Sequence, residues 1–380
     1  MISKYGVGLD NLDIDAMQQK GVAIAVTEGT NKRSVAELTL SFMTGLCHNI
    51  FLSAERMKKG QWIREGGQNL SGKTVGIIGC GNVGQEVIKL LKPFGCNILV
   101  NDIEDKNEFC REQSAIESSF EILINESDIV SLHVPLTNLT LEMIDEKILH
   151  AMKPTALLIN TSRGPVLKHS ALHEALLSGK ISGAALDVFS EEPPKNKNLF
   201  DVENLILTPH LGASTSEAQE NVAIQVAQQI SDYLNNEVIV NSINVSPIST
   251  EEAPKLKPYL DLSLKLGRFG GQIIESTIKK INITFRGAVS TLNTKPLIST
   301  IVSGIFSNKM ESVNLINAEA VAKKKNIEIV TSYQSEAVNH EAEIYINITT
   351  TDEEFSYAGT IFANSSRIIS IMNMRVEAEI

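Results

Sequence analysis

The chain has 380 residues, enough for two or three compact domains, and its 43% hydrophobic and 21% charged residues exclude global disorder. A formal charge of −11 disfavours a nucleic-acid partner, because phosphate binding needs clustered Lys and Arg. The four cysteines (Cys47, Cys80, Cys96, Cys110) form no CxxC pair and keep no His–Cys ligand spacing, so neither a metal site nor a disulfide framework is expected. No apolar run is long enough for a bilayer and no signal-peptide pattern opens the chain, so no membrane partner and a cytoplasmic location are expected.

The chain opens with Tyr5 to Asn11, a short helical stretch to Lys20 and a strand from Val22 to Val26, pieces of a lobe too small to enclose its own core. Ser34 and Glu37 have capping-box spacing, and Val35, Leu38, Phe42, Leu46, Ile50 and Phe51 continue at helical intervals, which predicts one long helix up to Gly60. Trp62 is assigned to core or interface packing.

The stretch from Lys73 to Leu91 is an apolar strand, a glycine turn and a helix. Gly79 permits the tight turn, Gly81 lets the backbone approach a pyrophosphate, and Gly84 lets the helix pack on its strand, with Asn82 and Val83 between them at the helix start. A second strand, Asn97 to Asn101, ends in Asp102, 18 residues after Gly84 and placed for a ribose 2′-OH. Strands are predicted at Thr74–Ile78, Asn97–Asn101, Ile129–Val134, Ala156–Asn160, Gly183–Val188 and Asn204–Leu207. Their alternation with helices predicts an α/β fold, a parallel doubly wound sheet. Ligands of such sheets bind at the carboxyl ends of the strands, which singles out Asp102, His133, Arg163, Asp187 and His210.

Arg163, at a strand end before Gly164, suits a bidentate grip on a carboxylate and carbonyl; a surface salt bridge is the plainer alternative. His210 ends a strand before a small-residue loop and suits a general acid/base. Glu192 either orients that imidazole or belongs to a solvated acidic loop before Pro193 and Pro194; the residues alone leave both open. His133, shortly before Pro135, lines the nucleotide cleft, whereas His48, His150, His169, His173 and His340 are given surface or structural roles.

A second capping box, Ser214 to Glu217, opens a helix with Ala218, Val222, Val226, Ile230 and Leu234 on one face. Ser246 to Pro258, with three prolines, reads as a linker. Beyond it Ile281, Ile283 and Phe285 alternate with polar residues as in a half-buried strand, and further strands are expected at Glu343–Ile348, Phe355–Phe362 and Ile368–Ile371. Lys323 to Lys325 reads as a solvated helix face.

Taken together, Tyr5 to Asn11, Gly79-x-Gly81-x-x-Gly84, Thr161 to Gly164, Ala185 to Phe189 with Glu192 to Pro194, and Pro209 to Ala213 resemble the D-isomer-specific 2-hydroxy-acid dehydrogenases. The resemblance implies a Rossmann-type sheet binding NAD, a remnant of a flavodoxin-like substrate lobe, and a C-terminal α+β domain. It implies that Arg163, Glu192 and His210 are the catalytic trio and that Asp187 contacts the nicotinamide end. His133, Pro135, Thr161, Ser162 and Gly212 join the glycine turn and Asp102 in the cofactor site, while Lys4, Gly6 and Val7 face substrate, Lys4 toward a phosphate. Asp102, with Glu104 and Asp105 nearby and no Arg, favours NAD over NADP.

Within the family the likeness is greatest to the long-type branch that oxidises 3-phosphoglycerate in serine biosynthesis, supported in the tail by Gly287, Val313 to Glu319 and Glu328 to Ser332. The alternatives are a hydroxypyruvate or glyoxylate reductase, and an inactive NAD-sensing corepressor type. The division expected is 1–30 substrate lobe, 31–210 NAD domain with its connecting helix, 211–248 return helix and 249–380 intervening domain. A homodimer or homotetramer is implied through the helix from Ser34. Relatives begin their substrate lobe before the position of Met1 and end in a small serine-sensing ACT domain, so for a chain that is complete as given the expectation is NAD binding with weak or absent turnover.

Overall fold

A computed structural model describes residues 1–64, 66–195, 198–236, 239–245, 252–310, 313–337, 340–363 and 365–380. They form two compact units, one of Gly29–Val222 and one of Met1–Glu28 with Ala223–Ile380. Among the described residues no single helix is long and apolar enough to cross a membrane.

The chain starts with β1 (Ile2–Lys4), α1 (Ile14–Gln19) and β2 (Ile24–Val26). β1 and β2 pair in parallel, Ile2 beside Ile24 and Lys4 beside Val26. Asp13 caps α1 by accepting from the Ala16 N–H at 2.9 Å.

The single helix expected from Ser34 is in fact two, α2 (Lys32–Cys47) and α3 (Ile50–Lys58), broken at Asn49, whose φ of 53° is left-handed. The break lets the Phe51 ring fold back onto Gly45, where a Cβ would lie 2.2 Å from Cε2. Ser34 is inside α2 and is not its cap: its hydroxyl donates to the Gly212 carbonyl at 2.7 Å, a tertiary partner that spacing alone does not reveal. Trp62 is 79% exposed, so core packing is ruled out for it.

The larger sheet is built from β3 (Thr74–Ile78), α4 (Asn82–Leu91), β4 (Asn97–Asn101), α5 (Asn107–Gln113), β5 (Ile116–Glu117), α6 (Phe120–Glu126), β6 (Ile129–Leu132), α7 (Glu146–Ala151), β7 (Leu157–Asn160), α8 (His169–Leu177), β8 (Gly183–Leu186) and β9 (Leu205–Leu207). The seven strands are parallel in the order β5-β4-β3-β6-β7-β8-β9. The continuous apolar runs follow from burial on both faces. Alternate residues feed two cores, Ile78, Val130, Leu132, Leu158 and Leu186 one of them, Ile77, Val100, Ile129 and Ile159 the other. The order reverses between β3 and β6, so the glycine turn after β3 opens at the switch point. The two-residue β5 had no sequence signal.

α9 (Ser216–Asn236) crosses the division between the units. Thr215, not Ser214, caps it, its hydroxyl accepting from the Ala218 N–H at 3.3 Å. Ala218 and Val222 are buried as expected, but Ile230 and Leu234 are exposed. Gln229 takes the inner position instead, donating to the Val26 carbonyl at 2.8 Å and accepting from Ser3 at 2.7 Å, because a strand carbonyl there needs a donor.

Of the linker expected from Ser246 to Pro258, residues 246–251 lie outside the described residues. Pro254 and Pro258 are helical, in α10 (Ala253–Ile273), with Pro254 in the first turn, where a missing N–H costs nothing. There follow β10 (Ile278–Gly287), α11 (Lys295–Ser307), α12 (Ala318–Lys324), β11 (Glu328–Gln334), β12 (Ala342–Thr350), β13 (Glu354–Phe362), β14 (Ser365–Ile371) and β15 (Met374–Glu379). Their order is β11-β10-β12-β13-β14-β15, antiparallel except for β10 with β11. α10 and α11 meet through glycines; a Cβ at Gly267 would lie 2.3 Å from the Ile301 carbonyl oxygen. Ile281, Ile283, Phe285, Ile344 and Ile346 pack on Ile301 and Ile305 in one core.

Candidate active site

Each candidate polar residue of the Gly29–Val222 unit follows the carboxyl end of a strand: Asp102 β4, His133 β6, Arg163 β7, Asp187 β8 and His210 β9. The glycine turn has the shape its sequence implies. Gly79 has φ +93°, and a Cβ there would meet the His133 carbonyl at 2.7 Å; a Cβ at Gly84 would meet the Gly79 carbonyl oxygen at 2.1 Å. Gly81 is the N-cap of α4, and a Cβ added to it meets nothing within 4 Å. Open space before a helix N-terminus, with Asn82 and Val83 in its first turn, fits a dinucleotide pyrophosphate.

Asp102 does more than end β4. One carboxylate oxygen accepts from the Cys80 N–H at 2.6 Å and the other from the Glu104 N–H at 3.0 Å, so it braces the glycine turn. The Cys80 thiol inside the turn is fully buried, and burial pushes its pKa up to about 12, which makes it inert. His133 shares a 2.9 Å hydrogen bond between Nε2 and Ser131 Oγ, while its buried Nδ1 has no partner among the described residues. Burial lowers its pKa to about 4 and keeps the ring neutral. Pro135, exposed beside it, accepts from the Thr140 hydroxyl at 2.6 Å.

The loop after β7 is held by Asn160, which sequence reading missed. Its Oδ1 accepts from the Ser162 N–H at 3.0 Å and hydroxyl at 2.9 Å, and its Nδ2 donates to the Arg163 carbonyl at 2.9 Å. Asn two residues before a turn hydroxyl is an Asx-turn signal that was available. Thr161 shares a 2.9 Å hydrogen bond with Thr39 of α2. Arg163 is half-buried and Nη1 donates to the Ser162 carbonyl at 2.7 Å. Gly164 then touches the next loop so closely that a Cβ would lie 1.9 Å from the Phe189 carbonyl carbon.

That next loop carries Glu192. Its Oε1 accepts from the Phe189 N–H at 3.1 Å, and its Oε2 lies 2.7 Å from His210 Nδ1. The structure thus joins Glu192 to His210 directly, and Arg163 to both through the Gly164–Phe189 contact. Asp187 is 1% exposed and accepts from the Thr208 hydroxyl (2.6 Å), the Leu211 N–H (2.7 Å) and the Gly212 N–H (2.8 Å). Its carboxylate is anchored in the histidine loop. Thr208 is a second residue the sequence did not flag. Lys4, Gly6 and Val7 belong to the other unit, Lys4 at the end of β1 and Gly6, with φ +114°, donating its N–H to Thr27 Oγ1 at 3.1 Å.

Two family models match the chain: D-isomer specific 2-hydroxyacid dehydrogenase, NAD binding domain, over residues 40–212, and D-3-phosphoglycerate dehydrogenase intervening domain over residues 255–372. A D-3-phosphoglycerate dehydrogenase of Methanocaldococcus jannaschii is 37% identical over 376 residues, covering 98% of this chain and 71% of the relative. A glyoxylate reductase of Thermococcus litoralis is 40% identical over 253 residues, 64% of this chain and 76% of that protein. Among solved structures, the D-lactate dehydrogenase of Aquifex aeolicus complexed with NAD and lactic acid superposes with a TM-score of 0.59 at 29% identity, over 62% of this chain and 76% of that one.

Proposed function

The chain belongs to the D-isomer-specific 2-hydroxyacid dehydrogenases, in the D-3-phosphoglycerate dehydrogenase branch, and from that premise we propose that it oxidises 3-phosphoglycerate to 3-phosphohydroxypyruvate, the first step of L-serine biosynthesis. The observation that carries the substrate class is the intervening domain. Relatives named for phosphoglycerate match 98% of the chain, whereas the glyoxylate reductase matches 64%. In this reading 1–30 and 211–248 are substrate lobe, 31–210 the NAD domain and 249–380 the intervening domain, in a cytoplasmic enzyme.

Bound NAD supplies the hydride acceptor. The room before Gly81, the α4 N-terminus with Asn82 and Val83, and Asp102 hold it, with His133, Pro135, Thr161, Ser162, Asp187 and Gly212 around the rest of the cleft. The acid group at Asp102 selects against a 2′-phosphate. His210 takes the proton of the C2 hydroxyl on Nε2 as C2 gives up its hydride, and returns it in the reverse direction. Glu192 accepts the Nδ1 hydrogen, which leaves the Nε2 lone pair facing substrate and stabilises the imidazolium that forms. Arg163 holds the substrate carboxylate and the developing carbonyl. Lys4, Gly6 and Val7 receive the far end of the substrate, Lys4 pairing with its phosphate.

We assign oligomerisation, as a homodimer or homotetramer, to the α3 side: Ile50, Phe51, Met57, Trp62 and Ile63 are each at least 45% exposed. The test of function is NADH oxidation with 3-phosphohydroxypyruvate against glyoxylate and hydroxypyruvate. Preference for either smaller acid overturns the substrate assignment. His210→Asn should abolish turnover while NADH fluorescence titration is unchanged; retained turnover removes His210 from its role.

A further inference from the structure

α1 ends in a Schellman turn: the Val22 N–H reaches the Met17 carbonyl at 2.9 Å and the Gly21 N–H the Gln18 carbonyl at 3.1 Å, with Gly21 at φ +65°. Such an ending leaves the last helical carbonyls without partners of their own. Here the carbonyl of the last helical residue, Gln19, and that of Gly21 in the turn are taken by side chains from nearly three hundred residues later in the chain. Asn314 Nδ2 donates to the Gly21 carbonyl at 2.8 Å and Asn317 Nδ2 to the Gln19 carbonyl at 3.3 Å; in return Gln18 Nε2 donates to the Ile316 carbonyl.

The loop that does this is prebuilt. Asn314 Oδ1 accepts from the Ile316 N–H at 3.0 Å and Asn317 Oδ1 from the Asn314 N–H at 2.8 Å, so each amide uses its oxygen to fold the loop and its nitrogen to reach α1. Asn317 is 2% exposed. Gly21 fits because it lacks a side chain, since a Cβ would lie 2.3 Å from Asn314 Nδ2. The turn leads straight into β2, fully buried and fixed by Asn244, which accepts from the Ile24 N–H at 2.9 Å and donates to the Val22 carbonyl at 2.8 Å. The far end of β2 reaches Thr27, whose hydroxyl holds the Gly6 N–H, and Val26 pairs with Lys4.

We infer that Asn314 and Asn317 are positioning residues: the intervening domain clamps the α1–β2 turn and through β2 sets the Lys4–Val7 loop. The effect on substrate rests on the reading of Lys4–Val7 given above; the clamp itself does not. The device gives the C-terminal domain a route to substrate affinity that bypasses the Glu192–His210 pair.

Asn314→Asp and Asn317→Asp test it in the full chain, because each keeps an oxygen to fold the loop and replaces the donor to α1 with a carboxylate oxygen that repels the carbonyl it faces. Gly21→Ala attacks the same contact from the other side, so a misfolded loop in one variant does not decide the matter. Hydrogen exchange of amides 2–7 and 22–27 should speed up on the order of tenfold. KM for the phosphorylated substrate should rise on the order of tenfold, with kcat and NADH affinity held. Unchanged exchange in all three variants, with near-UV circular dichroism intact, overturns the clamp. Faster exchange with unchanged KM upholds the clamp and refutes the substrate role of Lys4–Val7.

Discussion

Gly164→Ala is the sharpest perturbation of the site, because it adds one methyl group where the Arg163 loop presses on the backbone of the Glu192 loop. The new Cβ would sit 1.9 Å from the Phe189 carbonyl carbon, 2.1 Å from its oxygen and 2.4 Å from the Ser190 nitrogen, all of them backbone atoms that no rotamer change moves aside. Restoring an ordinary contact requires the two loops to part by roughly 1.5 Å. The Phe189 N–H that fixes Glu192 is 3.1 Å from Oε1, so a shift of that size breaks the bond and frees the carboxylate that orients His210. Overpacking of this kind costs about 1–3 kcal/mol of stability. A misplacement near 1 Å costs on the order of a hundredfold in kcat. Steady-state NADH oxidation with 3-phosphohydroxypyruvate should show that loss, while NADH fluorescence titration stays within twofold of the unmodified chain. A folded Gly164→Ala protein with undiminished kcat would refute the idea that this contact holds the trio together.

Two further outcomes are expected. The folded state keeps His133 neutral down to about pH 4, while the unfolded chain protonates it near pH 6.5, so the unfolded state binds more protons between those values. Stability should therefore fall as pH drops through that window, by up to about 3 kcal/mol, with no contribution above it; urea unfolding of His133→Gln should show a flatter profile, and an identical slope in both proteins counts against a buried neutral imidazole. At the α3 side, Trp62→Glu places a charge on a residue 79% exposed in the single chain and should lower the molar mass seen by sedimentation equilibrium; an unchanged mass moves the subunit contact elsewhere.

The sheet was legible because its strands are buried on both faces and read as unbroken Val, Ile and Leu runs between glycines and helices. Thr74–Ile78 and Asn97–Asn101 were expected to the residue. The errors fell where a side chain chose a tertiary partner over a local one. Ser34 had capping-box spacing but its hydroxyl serves Gly212, and Gln229 displaced an apolar residue because the Val26 carbonyl needed a donor. The helix from Ser34 was over-extended for a related reason. Nothing near Asn49 announces the break except the residue type, which tolerates the left-handed conformation that a ring packed on Gly45 demands. In the site, the polar residues at strand ends were legible from topology. Their supports were not, since Asn160, Thr208 and the Phe189 N–H matter only through contacts that the fold creates.

Asp187 shows why the supports decide the chemistry. His210 sits at φ +54°, left-handed, a conformation that costs a non-glycine residue roughly 1–2 kcal/mol. A buried carboxylate is costly as well unless its oxygens are occupied. At this loop one set of hydrogen bonds works against both costs. The His210 N–H is held by the Asp187 carbonyl at 2.9 Å, and the two N–H groups that follow, with the Thr208 hydroxyl, all turn onto one carboxylate. Hydrogen bonds to a charged group contribute about 1.5–3 kcal/mol each, so three of them outweigh the backbone strain. The histidine loop is therefore fixed by Asp187 through its backbone and by Glu192 through its ring, and neither partner can replace the other. An imidazole held at both levels spends little free energy on orientation, which is the condition that the general acid/base role proposed for His210 requires.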